Sequence, residues 1–255
     1  MKLFLKRLYF LYGLLVFVGC MVTFTTLILL SIFLVPHKKT AGRVAYFFLR
    51  CWGYGFSFLV FIFYRFHGLE NIQKDQSYVF ASNHNSFLDG IAICLAIPND
   101  FRPLGKIELT KVPIFGWMYR YVVILVDRNS VESRQQSMLE MKRHMQEGIS
   151  VLVFPEGTMN KTSSLLQPFK NGAFTLAIET QQPIVPMVMF NTKKCMPRVP
   201  KFALWPGIID IHFLPSMETK GMVKSDLETL KREVFEQMEN KLLELQGKPV
   251  ALATH

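Results

Sequence analysis

The sequence predicts an α/β fold in which a mixed sheet is flanked by helices and preceded by a hydrophobic helical membrane anchor. Two patterns predict this architecture. Residues 8–35 form a run of 28 residues without a charged side chain. From residue 67 onward, short apolar runs alternate with amphipathic stretches, as strands and helices do in an α/β domain. We therefore expect membrane-anchoring helices over residues 1–66 and one globular domain over residues 67–255.

The apolar run is long enough to reach across a bilayer. As a helix it would measure about 42 Å, and the hydrocarbon core of a bilayer is about 30 Å thick. It is also much longer than the hydrophobic part of a cleaved signal peptide, which has about 7 to 15 residues. Residues 51–64 form a second apolar stretch, rich in aromatic side chains and bracketed by Arg50 and Arg65. This stretch predicts an interfacial or re-entrant helix, with a buried core helix as the alternative.

Short apolar runs and helical periodicity predict the elements of the globular domain. Strands are expected at residues 78–81, 122–126, 151–154, 184–189 and 208–213. Residues 131–147 predict a helix with Ser130 as its N-cap and Gly148 as its stop. Ser225 and Glu228 have the spacing of a capping box, and apolar residues follow at helical intervals up to residue 242.

The charge balance favours anionic partners. Lys and Arg outnumber Asp and Glu by 29 to 19, giving a net charge of +10. Phosphates, membrane surfaces and nucleic acid all attract such a chain. The basic residues are scattered rather than arranged in a stripe, so we do not expect nucleic-acid binding. The four cysteines show neither a CxxC pair nor zinc spacing, and we therefore expect no disulfide framework and no metal.

One histidine stands in surroundings that suit catalysis. His84 follows the predicted strand 78–81 directly, at the end where open α/β sheets place their ligands. Asp89 comes five residues later, and Ser86 can cap a helix beginning at Phe87, which would let His84 fold back towards the carboxylate. The acid would then fix the imidazole tautomer and stabilise the imidazolium. Alternatively, Asp89 only completes a capping box.

A second turn with polar residues ends the predicted strand 151–154. Residues 154–158 read Phe-Pro-Glu-Gly-Thr, which places an acid and a glycine at the tip of the turn. The Gly157 N–H, or another in the turn, could face a developing oxyanion, and Glu156 could bind hydroxyls of an acceptor. Near other strand ends, three basic residues suggest an anion-binding site; they are Lys106, Arg128 and Lys170.

Taken together, these motifs resemble the glycerolipid acyltransferases, and within them the lysophosphatidic acid acyltransferases. The likeness extends over about residues 70–215 and depends on the H-x4-D pair being followed by the 154–158 motif. It implies that residues 67–255 transfer an acyl group directly from acyl-CoA or acyl carrier protein to lysophosphatidic acid, giving phosphatidic acid in phospholipid biosynthesis. His84 would be the general base, with Asp89 orienting it. Substrate would be bound by Lys106, Arg128, Glu156, Gly157, Thr158 and Lys170. No cofactor is implied.

The resemblance also implies a place for the protein and leaves its acceptor open. It predicts a membrane location, at the cytoplasmic face of the inner or plasma membrane, among lipids that serve as substrate. Members of the family usually have arginine where this chain has Met159. Another lysophospholipid or lipid alcohol is therefore the alternative acceptor, and a non-catalytic lipid-binding protein is the alternative class. The chain contains neither a G-x-S-x-G elbow nor a P-loop.

Overall fold

Seven strands form one sheet in the computed structural model, which describes residues 1–35 and 38–248. They are β1 (Ile62–His67), β2 (Val79–Ser82), β3 (Phe101–Lys106), β4 (Ile124–Val126), β5 (Ser150–Val153), β6 (Ile184–Phe190) and β7 (Gly207–Phe213). Their order across the sheet is β1-β7-β6-β2-β5-β3-β4. All neighbours are parallel except β6 and β7. The predicted mixed α/β sheet is confirmed, and residues 249–255 of the predicted domain lie outside the described residues.

Helices cover both faces of this sheet. They are α1 (Lys2–Leu34), α2 (Lys38–Leu59), α3 (Asp89–Ala96), α4 (Phe115–Val122), α5 (Val131–Gln146), α6 (Gly172–Thr180), α7 (Thr192–Cys195) and α8 (Leu227–Leu245). Successive side chains of a strand point to opposite faces. Phe80 of β2 therefore packs in the core under α2 and α3, and Val79 and Ala81 pack in the core under α5, α6 and α8. Burial on both faces explains why the central strands are continuous apolar runs.

The sequence located five of these strands and missed two. The predicted strand at 122–126 is shorter than expected because Val122 is the last residue of α4. The missed strands are β1 and β3. In β3, Arg102, Pro103 and Lys106 interrupt the apolar pattern, and its middle residues are only partly buried. A strand that is incompletely covered carries a weaker hydrophobic signal than β2 or β5.

The N-terminal helices are part of the core. In the described residues, α1 is the one helix whose length and composition would allow it to cross a membrane. The helix predicted at residues 51–64 is wrong over its last five residues, because α2 ends at Leu59 and Ile62 begins β1, which pairs with β7. Phe61 breaks the helix with a φ of 47°. β1 crosses the expected division after residue 66, and that division stays a prediction.

Side-chain caps were predicted correctly at one helix and wrongly at another. The Ser130 hydroxyl accepts a hydrogen bond from the Ser133 N–H at the start of α5, as expected. The capping box expected at residues 225–228 does not form. Instead, the Asp226 carboxylate accepts the Val223 N–H at 2.7 Å, one turn ahead of α8. Two overlapping acidic candidates in this stretch, Asp226 and Glu228, made the sequence ambiguous.

Asn83 fastens the end of β2 to β6. Its side-chain amide donates to the Met189 carbonyl at 2.9 Å and accepts the Met189 N–H at 2.7 Å, and both residues are buried. Replacement by alanine would leave two buried backbone groups unpaired, each at about 1 to 3 kcal/mol. We predict that Asn83→Ala lowers the free energy of unfolding by about 2 to 5 kcal/mol in denaturant titrations. Asn129→Ala, at an exposed position, is the control and should change it by less than about 0.5 kcal/mol.

Candidate active site

His84 and Asp89 meet at the carboxyl end of β2. The imidazole Nδ1 lies 2.7 Å from Oδ2 of Asp89, whose side chain is 0% exposed, against 19% for His84. A carboxylate only accepts hydrogen bonds, so Nδ1 carries the proton in the neutral ring. Within the described residues Nε2 has no protein partner. Nε2 is therefore the atom left to accept a proton from a substrate.

The turn between the two residues is held by the same carboxylate oxygen. Oδ2 of Asp89 also accepts the N–H groups of Asn85 at 2.6 Å and Ser86 at 2.8 Å. The helix was expected at Phe87, yet α3 begins at Asp89, because Ser86 and the two residues after it form a turn. Both readings of Asp89 from sequence thus have a structural counterpart. The carboxylate fastens the turn and contacts the imidazole.

The loop after β5 holds the backbone of His84 on both sides. Oε1 of Glu156 accepts the His84 N–H at 2.8 Å, and the Asn160 N–H donates to the His84 carbonyl at 2.7 Å. The Phe154 ring stacks on the imidazole, with centroids 4.2 Å apart and planes at 17°. These contacts fix both the position and the plane of the ring.

Glu156 acts on the site from within the protein. It is buried, and its second oxygen accepts the backbone N–H of Gln167 at 2.9 Å. Burial raises the pKa of the Glu156 carboxyl above its usual value, and the hydrogen bonds from the His84 and Gln167 N–H groups oppose this rise. Both oxygens are thus occupied by protein donors. The expected contact of Glu156 with a substrate hydroxyl stays a prediction.

The Gly157 turn differs from the expectation for its N–H group. Gly157 has a φ of 73°, a left-handed conformation that favours glycine, and its N–H donates to the Phe154 carbonyl at 2.9 Å. This N–H is therefore used within the turn, which leaves another N–H of the turn, the expected alternative, as the candidate donor to an oxyanion. In the part of the chain described, the next N–H, that of Thr158, has no protein acceptor. Lys170 lies against the turn, and its N–H donates to the Pro155 carbonyl at 2.7 Å.

Lys106 and Arg128 stand at the same edge of the sheet but farther along it. Lys106 ends β3 and pairs in register with Val126, two residues before Arg128. The Lys106 ammonium lies 2.9 Å from the Glu108 carboxylate. Burial lowers the pKa of the half-buried Arg128. By strand order and spacing, β3 is about 10 Å and β4 about 14 Å from β2.

Comparison with known proteins identifies the family. A family model described as Acyltransferase matches residues 63–190, half of the chain. The match includes the His84 turn and the 154–158 turn. The chain belongs to the acyltransferase family. The membership predicted from the H-x4-D and Phe-Pro-Glu-Gly-Thr motifs is confirmed.

Relatives of this chain share its central part. The 1-acyl-sn-glycerol-3-phosphate acyltransferase alpha of Mus musculus is 32% identical over 167 residues, which are 64% of this chain and 58% of that protein. The chloroplastic 1-acyl-sn-glycerol-3-phosphate acyltransferase BAT2 of Brassica napus is 32% identical over 169 residues, 65% of this chain and 48% of that protein. The chain therefore spans about half the length of these curated relatives.

A solved structure shares the fold of this acyltransferase over nearly its whole length. The crystal structure of PlsC, the 1-acyl-sn-glycerophosphate (LPA) acyltransferase from Thermotoga maritima, superposes with a TM-score of 0.79 at 23% identity. The superposition covers 97% of this chain and 98% of that one. At this level of identity the likeness supports the fold.

Several residues that shape the site were not found from sequence. Asn160 and Gln167 act mainly on backbone groups, Asn160 through its own N–H, so their side-chain types carry no catalytic signal. Asn160 stands directly after Met159, and its side chain closes the following loop through the carbonyl of Ser164 at 3.0 Å. The position of Asn160 after a Pro/Gly turn predicts a loop but does not indicate which residue the loop contacts. Only the fold shows that this loop meets His84.

The geometry predicts the tautomer of His84. Because Asp89 accepts at Nδ1, the neutral ring should carry its proton on Nδ1 and leave Nε2 unprotonated. We expect ¹⁵N spectra of histidine-labelled protein to show this tautomer, with the His84 signals assigned by their loss in His84→Ala. His144 lies near Glu140 through Nε2 and near Glu147 through Nδ1, and it serves as an internal comparison. An Nε2-protonated ring at His84 would contradict the contact.

Proposed function

We propose that the protein transfers a fatty acyl group from an acyl thioester to the free hydroxyl of 1-acylglycerol 3-phosphate, giving phosphatidic acid. The observation that carries this proposal is the contact of the His84 imidazole with the buried Asp89 carboxylate, with Nε2 left free among the described residues. The relatives named 1-acyl-sn-glycerol-3-phosphate acyltransferases support the choice of acceptor.

The reaction needs one base and no covalent intermediate on the protein. Nε2 of His84 takes the proton of the acceptor hydroxyl while its oxygen attacks the thioester carbonyl. Asp89 stabilises the imidazolium that forms. When the tetrahedral intermediate collapses, the C–S bond breaks and the imidazolium returns its proton to the departing thiolate. The Thr158 N–H is the donor that we assign to the developing oxyanion.

The acyl donor and the membrane complete the proposal. A thioester is already activated, so acyl-CoA or acyl carrier protein can serve as donor without a further cofactor. The acceptor carries an acyl chain and lies in a bilayer, and α1 has the length and composition to enter one. We assign the protein to a membrane, with its site at the cytoplasmic face where soluble thioesters are available.

Basic residues would neutralise the phosphate of the acceptor. Lys106 and Arg128 lie on one side of His84 along the sheet edge, and Lys170 lies beside the Gly157 turn. Arginine can bind a phosphate through two parallel N–H groups, whereas lysine acts as a point charge. Met159 supplies no charge to this site. For that reason another lysophospholipid, without a phosphate monoester, is the second candidate acceptor.

Replacing Asp89 should separate its role in the turn from its role in catalysis. In Asp89→Asn the amide oxygen can still accept the Asn85 and Ser86 N–H groups, but it cannot stabilise a charged His84. We predict a near-native melting temperature and a loss of about 10²- to 10⁴-fold in kcat with lysophosphatidic acid. Asp89→Ala should also lower the melting temperature. His84→Ala is the reference for full loss, and wild-type turnover in either Asp89→Asn or His84→Ala would contradict the mechanism.

Removing Lys106 or Arg128 should weaken acceptor binding. Each alanine variant deletes a charge-assisted hydrogen bond to phosphate of about 1.5 to 3 kcal/mol, or roughly tenfold to hundredfold in KM. The KM for the acyl donor should change much less. Lys220→Ala, at an exposed position on another part of the surface, is the matched control. Unchanged KM in both variants would favour the second candidate acceptor.

A further inference from the structure

The guanidinium of Arg198 is held beside the His84 turn. Arg198 lies between α7 and β7, is partly buried, and donates through Nη1 to the Met159 carbonyl at 3.2 Å. Over residues 1–35 and 38–248, no carboxylate lies within 4.0 Å of it. A partly buried cation without an acidic partner has its charge available for another anion.

Two hydrogen bonds fix Arg198 relative to the base. The Ser86 hydroxyl donates to the Met196 carbonyl at 2.8 Å, which ties the chain two residues before Arg198 to the turn after His84. The Asn160 N–H donates to the His84 carbonyl at 2.7 Å, which ties the residue after Met159 to His84 itself. Arg198 is therefore connected to His84 from both sides, and its distance from the base is set by short backbone segments.

Among the residues that the structure describes, most of the hydrogen-bonding capacity of the Arg198 side chain remains unused. A guanidinium has five N–H donors in a planar fork. The contact with Met159 uses one of them. The fork geometry matches a phosphate, which can accept two parallel N–H groups.

Arg198 differs from Lys106 and Arg128 in the contact that ties it to the His84 turn. It follows β6 in the chain, and β6 and β5 are the two neighbours of β2. Lys106 and Arg128 lie at the ends of β3 and β4, about 10 Å and about 14 Å from β2 by strand order and spacing. In 1-acylglycerol 3-phosphate, two carbon atoms and one ester oxygen separate the acceptor hydroxyl oxygen from phosphorus. A phosphate on such a short connection stays close to the base, where Arg198 is fixed.

We propose that Arg198 binds the phosphate monoester of the acceptor and supplies the positive charge that Met159 does not. The proposal rests on the proposed function, since it concerns the acceptor of that same reaction. Arg198 is then the cation tied most directly to the His84 turn, through the Met159 carbonyl.

Three substitutions at one position separate charge from structure. Arg198→Met should raise the KM for lysophosphatidic acid about tenfold to hundredfold and leave the KM for acyl-CoA nearly unchanged. Arg198→Gln keeps a donor for the Met159 carbonyl but no charge, and it should behave like Arg198→Met. Arg198→Lys keeps the charge and should recover part of the affinity. Lys194→Met removes an exposed charge from the same segment and should resemble wild type.

Moving the charge tests the idea further. In the double variant Met159→Arg/Arg198→Met, an arginine at position 159 supplies the positive charge that Arg198 no longer provides. The KM for lysophosphatidic acid should then fall well below that of Arg198→Met alone. Normal KM in Arg198→Gln, or an equal rise in KM for both substrates, would assign Arg198 a structural role and overturn the proposal. Wild-type protein that acylates lysophosphatidic acid under those same conditions shows that the proposed function stands. Wild-type protein inactive on that acceptor would overturn both.

Discussion

The arrangement of the site depends on the hydrogen bonds that the Asp89 carboxylate accepts. One buried oxygen accepts two backbone N–H groups and contacts the imidazole, so the chain reversal after β2, the start of α3 and the tautomer of His84 share a single acceptor. Without that acceptor, two N–H groups in a buried turn would lack partners. The need to satisfy backbone donors and the need to orient a base are therefore met by the same group.

A second buried acid extends this arrangement to the neighbouring strand. Glu156 accepts the His84 N–H, and the loop that carries it returns a hydrogen bond from Asn160 to the His84 carbonyl. The loops after β2 and β5 are thus linked through the backbone of one residue. Groups fixed in this way need little reorganisation during a reaction, which is how preorganised polar groups lower a barrier. The ring of Phe154 stacks on the imidazole and thereby sets its plane.

The pairing of His84 with Asp89 and the buried central strands could be predicted from sequence, because both depend on residues close together in the chain or on strong periodicity. The strand β1 could not, since Arg65 and His67 break its pattern and its partner β7 is about 145 residues away. For the same reason nothing in the sequence indicates that Arg198 and Met159 are neighbours. They are 39 residues apart in the chain but in contact in the fold. The sequence left open which N–H of the 154–158 turn could face an oxyanion, because turn type decides where an N–H points, and residue identity alone does not give it.

The N-terminal helices α1 and α2 pack against the sheet as part of the domain. Trp52 and Phe56 of α2 share a core with Phe80 of β2, and Gly13 of α1 leaves no room for a side chain against Leu204. Close packing of this kind keeps α1 and α2 from moving independently of the sheet, as a flexible tether would allow. If α1 lies in a bilayer, as proposed above, this packing would hold His84 at one height relative to the lipid surface. Such a protein would meet lipids by diffusion in two dimensions, and only molecules in the adjacent leaflet would come within its reach.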